Sequence, residues 1–392
     1  MELHFVLIAI GSLFLVGLAT DELGRRTRLP RVTLLMLFGV LIGPAGADIL
    51  PPEAKSGYEF LASTALTMVA FLLGGVLSVP KLQRHGKEIL ITSLLVVSVS
   101  AFIVGGGLLA LGVSIPAALV LAAIATATAP AATRDVATQV RSTKGFKEKL
   151  LGIVAIDDAW GLIIFSLLLI AAKTITGGEF VDVLRHGLWE LGGAAIVGLG
   201  LGVPAAYLTG RLRPGEPMQS EALGLVFLCA GLAIWLEVSF LLAGMIAGAT
   251  VANLAKHHRR PFHEIEHIEW PFMLLFFVLA GASFETNHLA DLGTIGAVYI
   301  ILRALSRMVG GWLGGKLAGL PAIESRWIGF ALMPQAGVAL GMALVAGHHF
   351  PDQRDVILGV TIASTIVFEI FGPIMTQIAL IRVGEHAEVE TQ

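Results

Sequence analysis

The chain has 392 residues, 56% of them hydrophobic and 14% charged, with a mean hydropathy of +0.83. A soluble domain carries roughly 25% charged residues, so this composition excludes a soluble globular protein and indicates a polytopic membrane protein. A net charge of −3 is too small to suggest nucleic acid as a partner, and a single cysteine, Cys229, excludes an intrachain disulfide.

The opening stretch MELHFVLIAIGSLFLVGLAT lacks the basic start and small-residue cleavage site of a signal peptide, so a retained first helix is expected. About 20 apolar residues cross the hydrocarbon core. On that ruler thirteen spans are expected, at 3–20, 30–46, 58–80, 88–112, 116–135, 149–173, 186–210, 220–236, 238–255, 269–284, 289–318, 325–348 and 355–382. The connecting loops are short, and 1–392 reads as one all-α membrane transporter domain. Of 26 Lys and Arg residues, nineteen fall in the odd-numbered loops and four in the even-numbered ones. That asymmetry puts the odd loops and the C-terminus in the cytoplasm and the N-terminus outside.

Taken in chain order, five segments carry unusual residues. Segment five contains Thr126, Thr128 and Thr133 around Pro130, in IATATAPAATRDV. Proline removes a donor and clashes with the preceding turn, so a broken helix is expected here. Segment six contains GIVAIDDAWGLIIF, with Asp157 and Asp158 adjacent in an apolar run. Asp158 lies about nine residues past the segment start, roughly 14 Å deep at 1.5 Å per residue. Segment eleven contains Arg303 and Arg307, four apart and therefore on one helix face. Segment twelve contains Pro334, Gln335 and Gly337 in GFALMPQAGVALG, a second expected break. Segment thirteen contains Glu369 near its middle.

Intramembrane ionisable residues mark ion pathways, proton relays or paired partners. Three acids and two bases leave one carboxylate without a basic partner. Desolvation disfavours the charged form of such a group. It therefore holds a proton until a cation takes the proton's place, which is the chemistry of a site for either H⁺ or a monovalent metal ion. The two breaks supply what the ion also needs, since irregular backbone lining a cavity exposes oxygen ligands that intact helices spend internally. Segments one to six (3–173), a linking helix (186–210) and segments eight to thirteen (220–382) give two sets of six. Segment five then matches twelve and six matches thirteen. Seven helices of separation make the repeats inverted, and broken helices at matching places point to a midplane transport site.

These residues, with GRRTRLPRVTLLMLFGVLIGP, FFVLAGASFE at Phe276–Glu285 and RALSRMVGGWLGGKLAG at Arg303–Gly319, resemble the monovalent cation:proton antiporter superfamily. The likeness is to its second branch, which holds the NapA- and Kef-type proteins. The resemblance covers nearly the whole chain. It implies an NhaA-like fold in which a core with two crossed, unwound helices moves against a dimerisation domain, and it implies a homodimer. It assigns Asp158 as the residue that carries cation and proton, with Asp157 as its neighbour. In electrogenic members that neighbour pairs with a lysine, and the matching position here is Arg307. Lysine can release a proton and arginine effectively cannot. Members with Asn-Asp and arginine are generally electroneutral, whereas this chain joins Asp-Asp to Arg.

The expected function is secondary antiport of H⁺ and a monovalent cation, Na⁺ first, with K⁺/H⁺ antiport of the Kef type as the alternative. The partners are the cation (Na⁺, Li⁺ or K⁺), protons and the lipid bilayer; no cofactor or structural metal is expected. In the expected site Asp158 and Asp157 bind cation or proton with Thr126 and Thr128, Arg307 pairs with Asp157, and Arg303 pairs with Glu369. HEIEH at His263–His267 matches the zinc-protease pattern HExxH. It is expected in a hydrated cytoplasmic loop with no third ligand evident, which makes an intramembrane protease the weaker reading.

Overall fold

The structure, a computed structural model, describes residues 8, 11–20, 31–49, 58–77, 79–140, 144–175, 180–208, 218–255, 259–282, 289–335 and 337–390. At some helical positions, Asp158 among them, only the backbone is described. The chain divides into two compact units, each built from two separated stretches: Met1–Val79 with Glu179–Thr286, and Pro80–Gly178 with Asn287–Gln392.

The first unit begins with α1 (Gly11–Thr20), α2 (Arg31–Ile42) and α3 (Tyr58–Val76). The chain then supplies the second unit with α4 (Val79–Ala110), α5 (Ile115–Ile124), α6 (Pro130–Gln139) and α7 (Lys144–Ile175). It returns to the first with α8 (Phe180–Leu208), α9 (Met218–Trp235), α10 (Phe240–Leu254) and α11 (Arg259–Ala282). The second unit is completed by α12 (Leu289–Ala318), α13 (Ala322–Ala331), α14 (Gly337–His349) and α15 (Arg354–Glu390). No strand occurs among the described residues. By length and composition α4, α7, α8, α12 and α15 are long and apolar enough to cross a membrane. Two of the thirteen expected spans, the fifth and the twelfth, each appear as a pair of helices, α5 with α6 and α13 with α14. The residues between them are those around Pro130 and Pro334.

In the first unit α10 packs against α3 and α8, and α11 packs against α2 and α3. Small residues permit this. A Cβ on Gly74 would sit 2.0 Å from the Met245 carbonyl oxygen, and one on Gly248 would sit 2.0 Å from that of Phe71, so the α3 and α10 backbones touch directly. Met68, Phe71, Val226, Val251 and Ile265 close the core around that contact. Asn253 donates to the carbonyls of Leu77 (2.9 Å) and Ala249 (2.7 Å), tying the end of α10 to the end of α3. Between α9 and α10 the chain turns at Glu237 with φ 55. The Val238 amide returns to the Ala233 carbonyl at 2.9 Å, an ordinary helix stop.

In the second unit α12 carries two interleaved pairs of glycines with different neighbours. Gly310 and Gly314 abut Val96 and Thr92 of α4, while Gly311 and Gly315 abut Gly329 and Ser325 of α13. The GxxxG spacing of Gly311 and Gly315 is therefore one of two such faces on a single helix. The α15 helix packs against α12, α13 and α14, and α7 packs against α5.

A buried ion-pair site at two helix breaks

The first break follows from the chain's own end effects. The α5 helix stops at Ile124 and tightens into a 3₁₀-type turn, with Thr126 N donating to Ala123 O (3.0 Å) and Ala127 N to Ile124 O (3.1 Å). Helix resumes at Pro130, where a missing N–H costs nothing. A helix end leaves carbonyls without intrahelical donors, and here the carbonyls of Ala125, Thr126 and Ala127 turn to one side chain. Arg307 Nη2 donates to Ala125 O (3.2 Å), Ala127 O (3.1 Å) and Thr126 O. Its Nη1 donates to Asp157 Oδ2 at 2.5 Å, an ion pair in which both side chains are fully buried. Asp157 Oδ1 has no hydrogen-bond partner among the described residues.

The second break lies between Ala331 and Gly337. Met333 N folds back on Phe330 O at 3.3 Å, and Pro334 prevents further helix. A Cβ on Gly372 would sit 2.6 Å from Pro334 Cα, so α15 passes directly against the break. Arg303 joins the two breaks: its Nη1 donates to Met333 O (2.9 Å) and its Nη2 to Ala127 O (2.8 Å). Gln335 Nε2 adds a bond to Ile124 O at 3.3 Å. Both half-helix C-terminal ends, where the helix dipole is negative, are thus capped by guanidinium groups.

The structure brings Asp157, Arg303, Arg307, Gln335 and the 125–127 carbonyls together. Thr126 and Thr128 are buried at the first break, with Thr126 Oγ1 donating to Ala123 O at 2.6 Å. Asp158 lies in α7, but its side chain is outside the described residues. Glu369 is buried in α15, and the expected Arg303–Glu369 pair is corrected. Arg303 spends its terminal nitrogens on carbonyls and lies 4.2 Å from the Phe368 ring centroid. Phe368 precedes Glu369 by one residue, and neighbours on a helix point about 100° apart. The face of α15 that meets Arg303 therefore presents the aromatic ring rather than the acid.

A second correction concerns HEIEH, expected in a loop. It forms part of α11, with the side chains of His263, Glu266 and His267 outside the described residues. The carbonyl caps escaped the sequence reading because alanine and methionine carry no chemical signal. The one available hint was two arginines four apart in an apolar helix, each with several donors to satisfy.

The known proteins agree with this architecture. The family described as sodium/hydrogen exchanger, transmembrane, matches residues 10–382. The ammonium/H⁺ antiporter subunit AmhT of Alkalihalophilus pseudofirmus is 21% identical over 345 residues, covering 87% of this chain and 86% of that protein. The K⁺/H⁺ antiporter subunit KhtU of Bacillus subtilis is 23% identical, with 87% and 85% covered. The structure of the sodium proton antiporter MjNhaP1 from Methanocaldococcus jannaschii superposes with a TM-score of 0.76 at 20% identity, covering 99% of this chain and 98% of that one. With a transporter family matched over nearly the full length, the protease reading of HEIEH falls away. The chain belongs to the sodium/hydrogen exchanger family and is a multi-pass membrane antiporter.

Proposed function

We propose that the chain exchanges Na⁺ for H⁺ at Asp158, with Asp157 held out of the exchange by Arg307. The observation that carries this reading is the Arg307–Asp157 pair. One member of the acidic doublet already has a permanent cation, so the other is left for mobile ones. A neutral load, either the proton or the cation on Asp158, lets the carrier cross between its two faces; an empty charged site crosses poorly. The carbonyls of Ala125, Ala127 and Met333 are already accepting from arginine. The cation's further ligands are therefore assigned to the Thr126 and Thr128 hydroxyls.

The rest of the reading follows the sequence pattern. The thirteen spans form two inverted repeats, with the N-terminus outside and the C-terminus in the cytoplasm, and the protein is a homodimer in the plasma membrane. The Asp157–Asp158 doublet and TATAPAAT support the second, NapA- and Kef-like branch. K⁺ in place of Na⁺ is the second reading, favoured by the similarity to KhtU across 87% of the chain.

The test is a pH-dye assay in everted vesicles. Na⁺ addition should dissipate a preformed proton gradient without any organic solute, and Asp158→Asn should abolish the response. Dissipation by K⁺ but not Na⁺ would establish the second reading, and persistence of exchange in Asp158→Asn would overturn the site.

A further inference from the structure

Away from the exchange site, the second unit contains a second buried ion pair. Lys149, in the second turn of α7, donates from Nζ to Glu324 Oε2, in the first turn of α13. Each residue is only 8% exposed. Glu88 of α4 lies 4.0 Å from the same Nζ. Lys149 is the first residue of the expected sixth span, 149–173, and the structure places it inside α7 and buried.

This pair closes a ring. Along α7, Lys149 and Asp157 are eight residues apart, about 12 Å. Asp157 meets Arg307 on α12, and one turn back Arg303 meets the Met333 carbonyl just past α13. Along α13, Met333 leads back nine residues to Glu324, which returns to Lys149. Three helices are thus joined by two ion pairs and one arginine–carbonyl bond. The contact between α12 and α13 is made largely through glycines. Gly311 meets the Gly329 backbone with the Ile328 and Ser325 side chains alongside, a shallow surface that resists sliding along the axis less than large interlocking side chains would. The ring adds a pin at each end of α13, alongside the Thr376 hydroxyl of α15, which donates to Ala331 O at 3.0 Å.

We infer that Lys149 and Glu324 are positioning residues for antiport: they fix the register of α13 and so hold the second helix break against Asp157. Neither touches the transported ions. Glu324→Gln removes one pin and lets Met333 and Gln335 shift relative to the first break. Lys149→Met leaves Glu324 buried without its ion-pair partner.

The experiment compares wild type, Glu324→Gln, Glu324→Asp and the swap Lys149→Glu/Glu324→Lys in proteoliposomes. Glu88→Gln is added to the swap because the carboxylate introduced at position 149 would otherwise face Glu88. Exchange is measured with whichever of Na⁺, K⁺ or NH₄⁺ the wild type carries, and thermal melting is followed in parallel. The expected result is an apparent cation KM at least tenfold higher in Glu324→Gln. Glu324→Asp should fall between it and wild type, and the swap should recover most of the loss. Amide hydrogen exchange should rise at 332–337 in Glu324→Gln and fall back in the swap. An unchanged KM in Glu324→Gln overturns the inference. So does a loss of rate that only follows the loss of folded protein. Should Glu324→Gln fail to fold, Glu324→Asp with an unchanged KM and unchanged 332–337 exchange overturns it equally.

Discussion

Arg307 and Asp157 are 150 residues apart in the chain and meet at 2.5 Å with no exposed surface on either side chain. The guanidinium then uses its second terminal nitrogen on three carbonyls of the first break. A buried charge pair is retained at a cost in desolvation, and it is stable only when its remaining hydrogen-bonding capacity is met. Here the helix break meets that of the guanidinium's Nη2, while Arg307 Nε and Asp157 Oδ1 have no hydrogen-bond partner among the described residues.

Removing one partner should therefore be far worse than removing both. Asp157→Asn leaves Arg307 buried and unpaired, and the expected loss is about 3–5 kcal/mol. Asp157→Asn combined with Arg307→Met should lose clearly less than the two single losses summed. Thermal melts of the three variants in detergent measure this. Additive losses would mean that the pair contributes no coupling.

Cation and proton compete for one carboxylate in the proposed site, so the pH dependence has a definite sign. Lowering pH should raise the apparent KM for cation and leave the rate at saturating cation much less affected. Asp158→Asn should eliminate exchange while melting near the wild-type temperature, because Arg307 keeps its own partner. Cation titrations of exchange at several pH values provide the check; a KM that does not move with pH contradicts competition.

Lysine can release a proton and arginine effectively cannot, so Arg307 should not deliver a second proton to the cycle. At Asp158, one carboxylate trading one proton for one cation moves no charge. Were one charge moved, 100 mV would contribute about 2.3 kcal/mol, shifting the equilibrium cation ratio roughly 50-fold. The expected outcome is no shift when the membrane potential is clamped at 0 and −100 mV in proteoliposomes, and no transient current on a solid-supported membrane.

Glu369 does not hold Arg303 in place. Glu369→Gln should accordingly fold with a stability change of about 1 kcal/mol or less, where a broken buried pair would lose several. Gly311→Ala is the contrasting case, since its new methyl would meet the Gly329 backbone at 2.5 Å. Overpacking of that kind costs about 1–3 kcal/mol. Denaturation of both variants side by side discriminates the two.

Much of this architecture is legible in the residues themselves. Charges are conspicuous in an apolar chain because their transfer from water is so unfavourable, which is why Asp157, Arg303, Arg307 and Glu369 stand out. Prolines mark breaks because they cannot donate, and the structure interrupts helix near Pro130 and Pro334. What is not legible is pairing. Arg303 and Glu369 read as partners by charge alone, yet backbone carbonyls, which every residue possesses, compete for a guanidinium once a helix end exposes them. Lys149 stands at the very edge of an expected span, and only the placement of Glu324 175 residues later explains its burial. The two glycine faces of α12 share one short stretch, and a spacing rule distinguishes them only after the neighbouring helices are known.

Each compact unit is sewn from two stretches, and this has a consequence for biogenesis. The second unit receives α7 from the earlier half of the chain and α12 from the later half. At about 5–20 residues per second of synthesis, Asp157 emerges roughly 8–30 s before Arg307 does. Throughout that interval the nascent α7 must enter the bilayer with its acid unmatched, shielded by water, lipid headgroups or the insertion machinery, and the finished carrier exists only once the late arginine arrives.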